Sequence, residues 1–231
     1  FEVLRYDVYT LEKLVLTAVA AHETIGEARL YVLVGGQPTL GDLRFVVEEA
    51  LAGGAQAIQL RAKDLPDREL LRRAREVRIA TARARARFLL NDRPDLALLA
   101  GADGVHLGQE DLTLRDARRV LGTRPIIGVS THDRAQLEAA VLDGAGYLGV
   151  GPVFTSATKD FHNLAGLAFV REAAEAVKLP WFAIGGINET NLDEVLEAGA
   201  ARIAVSSAVV RAPSPRAAAA ALRARLDAIG G

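Results

Sequence analysis

From residue 30 onward the chain alternates short apolar runs with longer stretches in which apolar positions recur every three or four residues. The runs, read as strands, are Leu30–Val34, Ala57–Arg61, Phe88–Asn91, Gly104–Leu107, Ile126–Val129, Tyr147–Val150, Trp181–Ile184 and Arg202–Val205. Helical patterns follow them near residues 41–52, 66–86, 94–100, 113–121, 132–143, 164–178, 190–198 and 214–228. Strand and helix in succession predict parallel βα units.

An internal repeat supports the count. Gly-Ala, two variable residues and an aliphatic recur at Gly54-Ala55-Gln56-Ala57-Ile58, Gly101-Ala102-Asp103-Gly104-Val105, Gly144-Ala145-Gly146-Tyr147-Leu148 and Gly199-Ala200-Ala201-Arg202-Ile203. Each copy sits where a helix ends and an even-numbered strand begins, and glycine supplies the left-handed residue that closes a helix. Recurrence every 43 to 55 residues marks every second βα unit. That predicts a closed (β/α)8 TIM barrel, with a doubly wound sheet as the structural alternative. No proline- or serine-rich linker divides the chain, so residues 29–231 are expected to form one catalytic domain. Residues 1–28 are expected to form an N-terminal helical extension or barrel plug, with an amphipathic helix around Leu11 to Ala21.

Composition narrows the function. Half of the 231 residues are hydrophobic and a quarter are charged, enough for a large core. A formal net charge of -1 argues against wholesale nucleic-acid binding, which needs a basic face, so any anion site must be local. With no cysteine there is no disulfide framework, thiolate nucleophile or zinc-thiolate site, and a cytoplasmic protein fits best. No apolar run is long enough to cross a bilayer, and Leu14 to Ala21 is too short. The absence of methionine, with Phe1 leading, is expected of a chain trimmed or processed at its start.

In such a barrel the chemistry gathers at the C-terminal ends of the strands. Strand two leads into Gln59, Arg61 and Lys63, alternate positions that share a face on an extended backbone and offer an amide and two cations to a multiply charged anion. A solvated edge strand is the plainer reading. Strand three ends in Asn91-Asp92-Arg93-Pro94 and strand four in His106-Leu107-Gly108-Gln109-Glu110-Asp111. Asp92 and Asp111 are each candidates for ordinary helix caps. On adjacent loops beside cations, they equally suit a hard ion such as Mg2+, which takes one or two protein carboxylates and the oxygens of a substrate phosphate. His106 is expected to face inward and line the pocket, with a direct catalytic role as the alternative. Ser130, in Gly128-Val129-Ser130-Thr131-His132, is either an anion donor or part of a capping sequence. Strand six leads into Gly151-Pro152-Val153-Phe154-Thr155-Ser156-Ala157-Thr158-Lys159, whose density of hydroxyls reads as a phosphate-gripping loop, with Asp160 to Ala165 as part of its lid. Strands seven and eight end in Gly185-Gly186-Ile187-Asn188 and Ser206-Ser207, where such barrels often bind phosphate on backbone N–H groups.

These motifs, in this order from about Leu30 to Val210, resemble the thiamine phosphate synthase family. The resemblance implies the joining of hydroxymethylpyrimidine pyrophosphate to hydroxyethylthiazole phosphate with magnesium, releasing pyrophosphate and giving thiamine phosphate. It further implies that Gln59, Arg61, Lys63, Asn91, Ser130 and Lys159 hold the pyrimidine pyrophosphate, with Arg61, Lys63, Ser130 and Lys159 the catalytic set. Asp92 and Asp111 would hold magnesium. Ser156, Thr158, Gly185, Gly186, Ser206 and Ser207 would bind the thiazole phosphate, and Tyr31 and His106 would line the pyrimidine side. Where this chain has Ser156 the family usually has threonine, a swap that keeps the hydroxyl. The resemblance implies small-molecule partners and admits a homo-oligomer. A thiazole tautomerase of the same barrel, another phosphate-binding barrel enzyme such as a sugar-phosphate epimerase or a tryptophan-pathway isomerase, and a non-catalytic thiamine phosphate sensor are the competing readings.

Overall fold

Eight parallel strands close on themselves in chain order: β1 (Leu30–Val34), β2 (Ala57–Leu60), β3 (Arg87–Asn91), β4 (Gly104–Leu107), β5 (Ile126–Thr131), β6 (Tyr147–Val150), β7 (Trp181–Ile184) and β8 (Ile203–Val205). β8 pairs back onto β1, with Tyr31 opposite Ala204, so the sheet has no edge. The helices among the described residues are α1 (Leu40–Ala52), α2 (Asp67–Ala84), α3 (Pro94–Ala100), α4 (Leu114–Leu121), α5 (Arg134–Leu142), α6 (Gly166–Ala176), α7 (Leu192–Glu197), α8 (Ser207–Val210) and α9 (Pro215–Ala228). This computed structural model describes Val8, residues 25–155 and residues 164–229. The helix expected around Leu11 to Ala21 lies outside them, and the 1–28 extension remains an expectation. Ile25 and Ala28, at its end, pack with the side chains inside the barrel.

The Gly-Ala repeat does what its chemistry suggests. Gly54, Gly101, Gly144 and Gly199 have φ of 97°, 66°, 91° and 99°. The alanine after each donates its N–H to the carbonyl five residues back: Ala55 to Ala50, Ala102 to Ala97, Ala145 to Ala140 and Ala200 to Val195. That is the left-handed helix stop which satisfies a terminal carbonyl and turns the chain into the next strand. Helix starts are equally local. Thr39 and Asp42 form a reciprocal capping box on α1, and Thr113, Asp133 and Ser214 cap α4, α5 and α9.

Strand alternation separates two cores. Val32, Ile58, Phe88, Val105, Ile127, Leu148, Ala183 and Ile203 face outward and pack under the helices. Tyr31, Ala57, Leu89, Ile126, Tyr147, Phe182 and Ala204 fill the interior. There Tyr31 and Tyr147 each meet Phe182 edge to face, with ring centroids 5.3 and 5.7 Å away. Small residues make room for these rings. A Cβ on Gly128 would lie 2.0 Å from Cζ of Tyr147.

Four strand boundaries differ from expectation: β3 begins at Arg87, one residue early, β8 begins at Ile203, one residue late, and β2 and β5 end at other residues than expected. β2 stops at Leu60, one residue short, because Arg61 keeps a single ladder bond, its N–H to Val34 O, before the chain turns. β5 runs on to Thr131, whose hydroxyl donates to Gly149 O at 3.0 Å, so Ser130 is a strand residue rather than part of a cap. The short helix α8 was not foreseen, since four residues carry no legible period.

Candidate active site

Above the aromatic floor a cavity of about 690 Å3 opens at the C-terminal ends of the strands. Tyr31, Gln59, Arg61, Lys63, Asn91, Asp92, His106, Asp111, Ser130, Gly185, Gly186, Ser206 and Ser207 all line it. Every described residue singled out from the sequence therefore meets around one mouth. Ser156, Thr158 and Lys159, and most of the Asp160 to Ala165 lid, lie outside the described residues.

Gln59 owes its place to strand alternation, but Lys63 lies three residues past the end of β2. What orients Lys63 is an ion pair, Nζ to Asp92 Oδ2 at 2.7 Å. Asp92 follows β3 in the left-handed region, with φ 62°, a conformation costly for a side-chain-bearing residue and tolerated best by aspartate and asparagine. Its N–H donates to His106 O at 2.9 Å, which ties the β3 loop to β4. Arg93, next in the chain, pairs with Asp67 at 2.5 Å and Asp95 at 2.7 Å and so braces the same loop from outside. Neither candidate carboxylate caps a helix. Arg93 is the N-cap of α3, without a side-chain cap bond, and Thr113 caps α4, while Asp111 instead accepts the Gly108 N–H at 2.7 Å.

Asp92 and Asp111 lie close enough for each to perturb the other's ionisation. Burial and the bond to Asp111 raise the Asp92 carboxyl, against the pull of Lys63. At Asp111 burial is outweighed by the bond from Asp92 and the Gly108 N–H, which hold it low. Two neighbouring carboxyl groups that oppose each other's ionisation are a donor set a divalent cation fits, since the ion's charge relieves that opposition. Among the described residues no group of three or more histidine and acidic side chains could hold a metal ion. A metal held here would complete its shell with water and substrate oxygens, as magnesium commonly does.

Below this rim a line of polar side chains crosses the barrel. Gln59 Nε2 donates to the Tyr31 hydroxyl at 2.7 Å, the two tyrosine hydroxyls lie 3.0 Å apart, and His106 Nδ1 is 2.8 Å from Tyr147. His106 Nε2 is 2.9 Å from Ser130 Oγ. His106 is 7% exposed, and burial pushes its pKa down to about 4, against the pull of Asp111. Burial keeps the ring neutral and both its nitrogens are engaged, so it is a fixed part of the wall. Tyr147 and Phe182, which also line the cavity, are residues that sequence reasoning missed. For Tyr147 the signal available was Gly128 inside the facing strand, which implies a large neighbour.

The opposite wall is built from turns. Gly185 and Gly186 follow β7 with φ of 106° and 66°. A Cβ on Gly186 would sit 2.3 Å from Thr155 O, so the β6 and β7 loops touch backbone to backbone. The bonds that hold this turn use its carbonyls: Val153 and Phe154 donate to Ile184 and Gly185, and the Asn188 and Asn191 amides donate to Gly186. Ser206 gives its hydroxyl hydrogen to Leu33 O at 3.0 Å.

Fold and rim together define a (β/α)8 barrel protein whose mouth carries cations and carboxylates on the β2–β5 side and a glycine–serine wall on the β7–β8 side. The chain belongs to the thiamine monophosphate synthase family, whose profile matches residues 30–209. It is 50% identical over 201 residues to the thiamine-phosphate synthase of Thermus thermophilus, covering 86% of this chain and 97% of that one. It is 48% identical over 211 residues to the thiamine-phosphate synthase of Gloeobacter violaceus, covering 91% of this chain and 61% of that longer one. Among solved structures it is similar to the thiamine phosphate pyrophosphorylase from Pyrococcus furiosus, with a TM-score of 0.80, 38% identity, and coverage of 89% of this chain and 98% of that one. A 3-hexulose-6-phosphate synthase, at 20% identity and a TM-score of 0.63, shares the fold alone.

Proposed function

We propose that the chain is a thiamine phosphate synthase. It couples 4-amino-2-methyl-5-(diphosphooxymethyl)pyrimidine with hydroxyethylthiazole phosphate to give thiamine phosphate and pyrophosphate. The observation that carries this is the meeting, across one mouth, of a cation-bearing wall with a wall of glycine and serine turns. One suits a diphosphate and the other a monophosphate, and two anion sites are what this pair of substrates needs.

Bond breaking at the pyrimidine methylene leaves charge on the departing diphosphate. Arg61 and Lys63, with Lys159 from the β6 loop, stabilise that charge more as it grows than before it forms, and this lowers the barrier. Gln59, Asn91 and Ser130 orient the same group. Asp92 and Asp111 would hold a magnesium ion, which would supply further positive charge to the diphosphate oxygens. Gly185, Gly186, Ser206 and Ser207, with Ser156 and Thr158, hold the thiazole phosphate so that the ring nitrogen faces the methylene carbon. Because Ser206 spends its hydroxyl hydrogen on Leu33 O, its backbone is its part of that grip. The C–O bond to diphosphate breaks, the thiazole nitrogen lone pair forms the new C–N bond, and no protein nucleophile takes part. Tyr31, Tyr147 and Phe182 close the floor against water, which would otherwise capture the electron-poor methylene.

A cytoplasmic location belongs to the same reading, since phosphorylated substrates do not cross bilayers unaided. Incubation of the protein with both substrates and Mg2+ is expected to release pyrophosphate and thiamine phosphate in equal amounts, read by 31P NMR. Binding without turnover would replace this reading with the sensor. Isomerisation of the thiazole phosphate with no need for the pyrimidine would replace it with the tautomerase.

A further inference from the structure

The buried polar line through the barrel has a direction, and the direction follows from counting hydrogens. Gln59 Nε2 can only donate, so the Tyr31 oxygen accepts from it. Tyr31 is 2% exposed, and burial raises its pKa well above the ordinary phenol value, so it keeps its own hydrogen and must place it. The oxygen of Tyr147, 3.0 Å away, is the acceptor within reach. Tyr147, whose pKa burial also raises, then passes its hydrogen to His106 Nδ1. With Nδ1 accepting, the neutral imidazole carries its hydrogen on Nε2 and donates it to Ser130 Oγ. Ser130 Oγ has then received a hydrogen from the protein, and its own points elsewhere. Run in the opposite sense, the line would put two donors on the Tyr31 oxygen, and the hydrogen bonds among the described residues offer the Tyr31 hydrogen no other acceptor, which a buried hydroxyl does not tolerate cheaply.

We infer that Tyr147 is a positioning residue, which acts through His106 to make Ser130 a hydrogen-bond donor toward the mouth. This deepens the proposed function and rests on it for the identity of the acceptor, an oxygen of the pyrimidine diphosphate. An anion needs donors, and a serine free to rotate would present a lone pair to it part of the time. The relay removes that choice. Gly128 and Gly149 are what let it fit: a Cβ on Gly128 would fall within the Tyr147 ring, and one on Gly149 would lie 3.3 Å from His106 Cε1.

Two measurements test the relay. In the 15N NMR spectrum of the ligand-free wild-type protein at neutral pH, His106 is expected to be protonated on Nε2, with Nδ1 of the unprotonated type. The reverse tautomer would overturn the direction, and this measurement needs neither turnover nor a variant. In kinetics, Tyr147→Phe keeps the ring and removes the donor. It is expected to lower kcat/KM for the pyrimidine diphosphate about tenfold, leave KM for the thiazole phosphate unchanged, and shift the His106 ring nitrogens toward a tautomer average. In a Ser130→Ala background the same change should cost less than about twofold, because nothing is left to position. An equal loss in both backgrounds would show a packing role only and overturn the inference. Absence of turnover in the wild type would sink the proposed function instead, and the tautomer would still decide the relay.

Discussion

Asp92 concentrates the cost of the site in one residue. It combines a left-handed backbone, a raised carboxyl and an ion pair with Lys63. Strain of this kind costs on the order of 1–3 kcal/mol and persists where the surroundings hold it in place. Asp92→Asn keeps a side chain at ease in that conformation and removes only the charge. Its unfolding midpoint should stay close to wild type while synthesis falls at least about a hundredfold, as in other losses of charge-stabilising groups. Near-normal turnover in that variant would remove Asp92 from the diphosphate site. His106 makes a separate prediction. Its folded pKa of about 4 lies below the ordinary value of 6.5, so as pH falls the unfolded chain takes up its proton first. The ring costs nothing at pH above about 7.5 and subtracts stability progressively down to pH 4, by about 3 kcal/mol in full. Urea unfolding should therefore show a smaller loss between about pH 7.5 and pH 5 in His106→Asn than in the wild type. Equal losses would mean that the ring is not kept neutral by burial.

At the scale of single elements, two glycines with the same backbone angle separate conformation from crowding. Gly101 and Gly186 both have φ of 66°. A Cβ on Gly101 meets nothing within 4 Å, whereas on Gly186 it would meet Thr155 O at 2.3 Å. Gly101→Ala should thus cost only the left-handed penalty, about 1 kcal/mol in chemical denaturation. Gly186→Ala must also part the β6 and β7 loops. It should cost more, roughly 2–4 kcal/mol, and raise KM for the thiazole phosphate with little change for the pyrimidine diphosphate. A selective loss of pyrimidine affinity would mean that the two walls are assigned the wrong way round.

For the molecule as a whole, a net charge of -1 coexists with a local cluster of cations, so ligand binding is governed by the mouth and not by a long-range field. Lys63 is 51% exposed, and its contribution should weaken as salt screens it. Inorganic pyrophosphate with Mg2+ is expected to raise the unfolding midpoint, by about 2.7 kcal/mol in stability at a hundredfold excess over Kd. The gain should vanish on chelation of the metal and shrink strongly in Lys63→Ala. An unchanged midpoint in the wild type would contradict a diphosphate site at this mouth.

The βα order, the Gly-Ala helix stops and the inward set Gln59 and His106 were all legible in the sequence, because each depends on a backbone period or a glycine that acts within a few residues. The candidate anion-binding motifs were legible for the same reason, each as a short string at a strand end. Barrel closure decided what those strings could not. It brought Lys63 onto Asp92, 29 positions apart in the chain, and set Asp92 beside Asp111. It also set Tyr147 between Tyr31 and His106. Such contacts leave no trace in local periodicity, since they come from which strands become neighbours and how far each side chain then reaches across the interior.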